Sequence, residues 1–214
     1  PQPSDLRLAL PVRVEALSGH GITLAYHPTK KGCLQSIVDD ADRTLLKIEY
    51  VGDSKVELTF LPNSAASALY SLLISGDRLT GVTLPTSNGA GWTIDYAQKG
   101  ESLCITQLDT PLGATELIEY QERGHLFPGS TEEKGRALSY VNRHVIKPGA
   151  GQADIETTYT YSASNFLGYG SLTSWADNGE DNLYRVADRA FKYGATPTSR
   201  RDGEPVRTVE KIYN

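Results

Sequence analysis

Methionine is absent from the 214-residue chain, and only two cysteines are present. A translated protein begins with methionine unless it is processed, whereas this chain begins Pro1-Gln2-Pro3. We therefore expect a single segment, residues 1–214, of a larger polypeptide, with residues 1–9 as a flexible or linker-like start. Two cysteines are too few for a fold that depends on disulfides. No signal peptide is visible, and a fragment would have lost one.

Basic residues are outnumbered by acidic ones, and the sequence has no long apolar run. The 21 basic and 26 acidic residues leave a net charge of −5, whereas nucleic-acid-binding domains normally carry a basic excess. No stretch approaches the roughly 18 apolar residues of a membrane-spanning helix. The sequence therefore predicts neither a nucleic-acid partner nor a membrane span. A hydrophobic content of 39% excludes a wholly disordered chain.

Short runs of alternating apolar and polar residues extend along the chain, and this alternation predicts half-buried strands. The runs contain Ile22, Leu24 and Tyr26; Leu46, Ile48 and Tyr50; Val56, Leu58 and Phe60; Trp92, Ile94 and Tyr96; Thr157, Tyr159 and Tyr161; and Phe191 and Tyr193. Turn signals separate them at Pro62-Asn63, Ser75-Gly76-Asp77, Asn88-Gly89, Pro148-Gly149 and Asp202-Gly203. Residues 65–74 have both helical and strand features, and their strand neighbours favour a strand. The predicted fold class is all-β with little helix.

Tyrosines recur at the predicted strand ends. Tyr26 and Tyr50 are 24 residues apart, and so are Tyr96 and Tyr120. A pattern of two aliphatic residues separated by two others precedes three of these tyrosines: Leu34 and Ile37, Leu79 and Val82, and Ile105 and Leu108. Self-similarity at a fixed period predicts an array of antiparallel hairpins, each burying its face on its neighbours.

These residues resemble a family. The run Arg78-Leu79-Thr80-Gly81-Val82-Thr83-Leu84-Pro85, followed by Asn88-Gly89 and Trp92-Thr93-Ile94-Asp95-Tyr96, is similar to one RHS/YD repeat, and Asp109 to Tyr120 resembles the next repeat. The block Asn165-Phe166-Leu167-Gly168, Trp175 to Gly179 and Asp181 to Tyr184 resembles a segment of large bacterial RHS proteins, which are related to the B/C components of insecticidal toxin complexes. The chain departs from the family in the dipeptide itself, because His27, Val51, Ala97 and Gln121 replace the aspartate after tyrosine.

The resemblance implies a structural role. RHS shells are β-strips wound around a toxic C-terminal domain of the same polypeptide, so the expected function is a non-catalytic early segment of such a shell wall. Its expected partners are the rest of the shell, the enclosed toxin and a secretion system or toxin complex, and it would be exported from bacteria. No cofactor is expected. The structural repeat positions are Tyr26, Tyr50, Leu79, Val82, Trp92, Tyr96, Ile105, Tyr120, Tyr161 and Trp175.

Candidate chemical groups favour structural interpretations. His20, His27, His125 and His144 do not have the spacing of a zinc site. Residues 177–182 are rich in oxygen ligands but lack the glycine and glutamate positions of a calcium loop, so we predict a polar turn. Asp109-Thr110-Pro111 differs from the Asp-Thr-Gly signature of aspartic proteases, because Pro111 stands in place of the glycine. The sequence contains no second copy, so we assign this segment to a turn.

Two other functions remain open. A carbohydrate- or protein-binding module would present two or three exposed aromatic side chains in a concave patch. A hydrolase on a β scaffold would place a histidine and a carboxylate within hydrogen-bonding distance in a cleft.

The cysteines test the repeat interpretation. Cys33 and Cys104 precede Leu34 and Ile105, so they occupy the same phase of the repeat. We predict two free thiols on the same face of the sheet, too far apart for a disulfide. With no histidine close in sequence, neither is expected to be a nucleophile.

Overall fold

A computed structural model of the protein describes residues 9–214, and 52% of these residues lie in strands against 2% in helix. The prediction for residues 1–9 falls outside the described part, except for residue 9. The strands are β1 (Arg13–Glu15), β2 (Gly21–Tyr26), β3 (Leu34–Asp39), β4 (Thr44–Val51), β5 (Lys55–Phe60), β6 (Ala68–Ser75), β7 (Arg78–Thr83), β8 (Gly91–Lys99), β9 (Ser102–Asp109), β10 (Thr115–Leu126), β11 (Ala137–Lys147), β12 (Ile155–Tyr161), β13 (Tyr193–Arg201), β14 (Glu204–Thr208) and β15 (Lys211–Tyr213). A short 3₁₀ helix covers Asn182–Arg185.

The chain divides into two compact units, Pro1–Trp92 and Thr93–Asn214. Within each unit the strands pair antiparallel in chain order, from β1 to β7 in the first and from β8 to β14 in the second. Strand β15 pairs with β13 beside β14. The prediction of an all-β strip of antiparallel hairpins with little helix is confirmed.

The local strand predictions hold with two exceptions. The ambiguous segment 65–74 contains a strand, β6, as expected. Phe191 lies outside β13, which begins at Tyr193, so the predicted alternation there starts too early. Tyr96 and Tyr120 do not end their strands, because β8 and β10 continue beyond an irregularity in register at each tyrosine.

The first unit is a sheet with one apolar and one polar face. Residues directly opposite one another on paired strands point to the same face, and three apolar rows cross the unit in this way. The rows are Leu24, Ile37, Leu46 and Phe60; Ile48, Leu58 and Tyr70; and Tyr50, Val56, Leu72 and Val82. The opposite face carries ion pairs between Lys47 and Glu49 and between Lys55 and Glu57. Among the described residues of this unit, only Gly81 is buried.

The second unit differs on the corresponding apolar face. Ile94, Leu108, Ile146 and Ile155 form part of one row, but Glu116 interrupts it between Leu108 and Ile146. The next row, which begins at Ile118, is polar from its second residue, because it continues through His144, Thr157 and Ser199. Polar groups therefore extend into an otherwise apolar face.

The second unit also contains all the buried hydrophobic side chains of the described residues. They are Leu126, Phe127, Val145 and Leu167. Leu167 belongs to residues 162–192, a mainly irregular segment between β12 and β13 that we call the cap segment. In residues 9–214, no helix is long and apolar enough to cross a membrane.

Candidate functional site: tyrosine-closed hairpins and a capped core

Four tyrosines make the same hydrogen bond in four different hairpins. The hydroxyl of Tyr50, near the end of β4, donates to the carbonyl of Leu34 at the start of β3, at 2.8 Å. The Tyr120 hydroxyl donates to Ile105 across β9 and β10, also at 2.8 Å. The other two bonds join Tyr26 to the Pro11 carbonyl at 2.8 Å and Tyr161 to the Val141 carbonyl at 3.0 Å.

The four bonds share one position in the hairpin register. If the pairing of β3 with β4 is continued from Ser36 opposite Lys47, the accepting Leu34 lies opposite Glu49, one residue before Tyr50. The same one-residue offset follows from the pairings of the other three hairpins. A hydroxyl that reaches one residue diagonally across the hairpin thus joins the two sides of each hairpin at an equivalent position.

Both cysteines are free, as predicted. When the strand pairings are extended in the same way, Cys33 lies opposite Tyr50 and Cys104 lies opposite Tyr120. The two thiols therefore occupy the same position in their hairpins. Burial raises the pKa of Cys104, and Lys99 opposes this only partly. Burial also raises the pKa of Tyr50, with a further contribution from Cys33.

Cys33 has a histidine beside it in the fold, although none adjoins it in the sequence. The β2–β3 turn pairs the backbones of His27 and Cys33, with an N–H···O distance of 2.8 Å between nitrogen and oxygen. The His27 ring nevertheless has a local structural role, because its Nδ1 atom accepts the N–H groups of Thr29 and Lys30. The Lys30 ammonium lies 5.1 Å from the centre of the Tyr50 ring, which completes the packing of this turn.

The remaining repeat positions lie on strands. Leu79 pairs with Ile74, and Val82 with Leu72, on β7 and β6. Tyr96 faces Ile105 across β8 and β9. Trp92 is the second residue of β8 and is half-buried.

Two buried asparagines hold the cap segment: Asn165 attaches it to the sheet, and Asn182 joins parts of the cap to one another. Asn165 donates from Nδ2 to the carbonyl of Leu126, the last residue of β10, at 2.9 Å, and its Oδ1 accepts the N–H of Leu167 at 2.9 Å. Asn182 donates from Nδ2 to the Leu167 carbonyl at 3.2 Å, and its Oδ1 accepts the N–H of Ala176. The two amides satisfy backbone groups that this irregular segment would otherwise bury unpaired.

Aromatic packing forms the other part of this attachment. Trp175 meets Phe127 edge-to-face with ring centres 4.5 Å apart, and the Arg136 guanidinium lies over both rings. The position of Trp175 was predicted as structural, and this contact places it against the buried end of β10. A salt bridge of 3.8 Å joins Arg136 to Asp177.

The β10–β11 connection is held by a residue that sequence reasoning missed. Arg123 has a positive φ of 54° and donates from its guanidinium to the carbonyls of Thr131, Glu132 and Gly135. A Cβ at the next residue, Gly124, would overlap the Tyr140 ring, so this position requires glycine. An Arg-Gly dipeptide does not by itself reveal this role in the sequence, because the carbonyls that Arg123 binds lie several residues further along the chain.

The predicted turn at residues 177–182 is present. Gly179 has a φ of +80°, and Asn178 and Glu180 bond to each other. Asp181 accepts the Leu183 N–H and so caps the 3₁₀ helix. The oxygen-rich appearance of the sequence therefore reflects turn and capping contacts. Among the described residues, no group of three or more His, Cys, Asp or Glu side chains is arranged to hold a metal ion.

Asp109 likewise has a structural environment. It accepts hydrogen bonds from the Thr115 hydroxyl at 2.6 Å and from the Gln107 amide at 2.9 Å. These bonds hold its pKa below the usual value, with Thr115 contributing most. The following turn is closed by Thr110 and Ala114, whose backbones pair.

One histidine–carboxylate pair of the kind that a hydrolase requires is present. His144 Nε2 lies 2.8 Å from Glu116 Oε2 on the apolar face of the second unit. Thr157 and Ser199, the next residues in the His144 row, contact each other at 3.2 Å. Among the described residues, no hydroxyl or thiol bonds to His144, so the pair lacks an activated nucleophile.

A small aromatic cleft lies where β13 meets β12 and β15. It has a volume of about 370 Å³ and is lined in part by Tyr161, Tyr193 and Lys211. The Tyr193 and Tyr213 rings stack 5.2 Å apart with 21° between their planes, and Tyr213 is 46% exposed.

Comparison with known proteins adds no family assignment. The chain matches no protein-family model, and no curated protein matches it significantly.

Proposed function

We propose that this chain is a non-catalytic segment of the wall of an RHS-type toxin shell. The observation that carries the proposal is the equivalent tyrosine-to-carbonyl bond in four hairpins. A repeated bond at one register position is what an array of equivalent hairpins requires, whereas a catalytic or ligand site would concentrate its distinctive contacts at one place.

The two-faced sheet of the first unit gives further support. Its apolar rows cross all strands from β2 to β7, yet nearly all its side chains stay at least partly exposed. A sheet with one uncovered apolar face is expected when more of the same polypeptide adjoins it. In this proposal, the neighbours are the rest of the shell and the enclosed C-terminal toxin, and the whole protein is exported from bacteria.

The first test is the parent polypeptide. The proposal expects an open reading frame several times longer than this chain, with further hairpins of the same tyrosine spacing and a C-terminal domain of different composition. A parent of about the present length would overturn it.

The second test measures enclosure directly in the parent protein. Limited proteolysis should leave the C-terminal domain protected in the wild type. A Tyr50→Phe/Tyr120→Phe double variant removes two hydroxyl bonds and should speed cleavage of that domain. Tyr184→Phe is the matched control, because Tyr184 is 90% exposed. Equal cleavage rates in all three proteins would contradict a role of these hairpins in enclosure.

We propose carbohydrate binding at the β13 cleft as a second candidate, favoured by the Tyr193–Tyr213 stack. Aromatic faces pack against the C–H groups of sugar rings, and Lys192, Glu210 and Lys211 surround the cleft with polar groups. Binding of the chain to an immobilised oligosaccharide panel should be lost in Tyr193→Ala, which removes an aromatic ring that lines the cleft, and retained in Tyr184→Ala. Equal binding by both variants, or no binding by the wild type, would count against this candidate.

A further inference from the structure

His125, on β10, is a titratable residue that contacts the cap segment. Its ring centre lies 5.3 Å from that of Phe166, a cap residue, with the two planes at 82°. The asparagine bonds to the cap do not change charge between pH 5 and 8, so a pH response of the cap must come from an ionisable neighbour.

The surroundings of His125 disfavour a positive charge. Its ring is packed 5.0 Å from Tyr140 on β11 and 5.0 Å from Tyr161 on β12, in addition to Phe166. Among the described residues, no carboxylate bonds to the ring. The titratable groups facing it are the two phenols, and burial raises the pKa of Tyr161, so that phenol stays neutral.

We propose that mild acid releases the cap segment, because protonated His125 is no longer accommodated among Tyr140, Tyr161 and Phe166. The proposal concerns residues 162–192 alone and does not depend on the toxin-shell assignment. The buried amide of Asn165 holds the cap to β10 at neutral pH, and protonation of His125 weakens the attachment by disturbing the contact between His125 and Phe166.

The direction of the response follows from burial, which lowers the pKa of His125 in the closed cap. In the open cap the ring is hydrated and its pKa returns to about 6.5. The closed state is therefore fully stable above pH about 6.5 and loses stability as the pH falls below it. The equilibrium constant for opening rises by up to about tenfold per pH unit until the pH passes the pKa of the closed state.

The two tryptophans of the chain allow a direct measurement. In a Trp92→Phe background, Trp175 is the single remaining indole and reports on the cap, since it contacts Phe127. We expect acrylamide quenching of Trp175 to increase between pH 7.5 and 5.0, while far-UV circular dichroism shows that the sheet persists.

Variants of His125 identify the group responsible. His125→Phe keeps an aromatic ring that does not titrate, and His125→Gln provides a smaller neutral side chain if phenylalanine packs poorly. Both should make quenching independent of pH over this range. His20→Gln and His144→Gln are the matched controls and should retain the wild-type response. A flat wild-type profile, a pH response that survives both His125 variants, or loss of the sheet at the same midpoint would each overturn the proposal.

Discussion

The two units of the chain have the same hairpin architecture but bury their side chains differently. In the first unit, apolar residues pack side by side on one face of the sheet, and among the described residues only Gly81 is buried. In the second, the cap segment folds over the end of β10 and buries Leu126, Phe127 and Leu167. The same repeated hairpin therefore supports either an open face or a small local core, and the difference depends on the segment inserted between β12 and β13.

The largest expected effect of this difference is on the rates of amide hydrogen exchange in the two units of the intact chain. Amides of the β10–β11 pair close to the capped core should exchange about a hundredfold more slowly than those of β4 and β5, corresponding to about 3 kcal/mol. Mass spectrometry of peptides from both units, corrected for intrinsic exchange rates, provides the measurement. Equal protection in the two units would mean that the cap adds no stability.

Asn165→Ala should selectively weaken the second unit. The substitution leaves the Leu126 carbonyl and the Leu167 N–H without their partner, at a cost of about 2 kcal/mol. Denaturant unfolding followed by Trp175 fluorescence in the Trp92→Phe background measures the loss. Asn178→Ala, on an exposed turn, is the control, and a similar loss in both variants would contradict the special position of Asn165.

We expect the tyrosine hydrogen bonds to contribute equally to the free energy of unfolding in the two units. Tyr50→Phe and Tyr120→Phe each remove one hydroxyl bond of 2.8 Å without changing ring packing, and each should cost about 1 kcal/mol. Thermal unfolding of the two variants beside Tyr184→Phe tests this expectation. A large effect in one unit and none in the other would show that the four bonds are geometrically but not energetically equivalent.

The smallest expected effect concerns thiol reactivity. Burial raises the pKa of Cys104, so less of the reactive thiolate is present near neutral pH. In a Cys33→Ser variant, Cys104 should react with an aromatic disulfide reagent more slowly than a cysteine in a flexible peptide, and the difference should shrink as the pH rises. The reciprocal Cys104→Ser variant tests whether the matching position in the first unit behaves alike.

Much of the repeat was predictable because its signals are local. Alternation at Leu46, Ile48 and Tyr50 reports the face of a strand within a few residues, and the spacing of Cys33 and Cys104 correctly predicts that both thiols are free. The cap was not predictable in this way. Asn165 bonds to a carbonyl 39 residues earlier, and no periodic pattern marks a side chain whose partners are distant backbone atoms.

The ends of the strands were also not predictable from the sequence. Alternation does not reveal where pairing resumes after a register irregularity, so Tyr96 and Tyr120 were expected at strand ends although both strands continue. The Glu116–His144 pair was also missed, because its members are 28 residues apart and meet only through the pairing of β10 with β11.

The tyrosine-to-carbonyl bond also determines where the chain can change in length. Donor and acceptor are 15 residues apart in Tyr120 and Ile105, 16 in Tyr50 and Leu34, and 20 in Tyr161 and Val141. Among the four hairpins with this bond, the longest interval belongs to the one with the longest connection, between β11 and β12. Extra residues at a hairpin tip thus leave the bond in place, whereas a single residue inserted within a strand would turn the tyrosine to the other face. Hairpin tips are accordingly the positions at which evolution, or an engineer adding a tag, can lengthen this protein without disturbing its repeat.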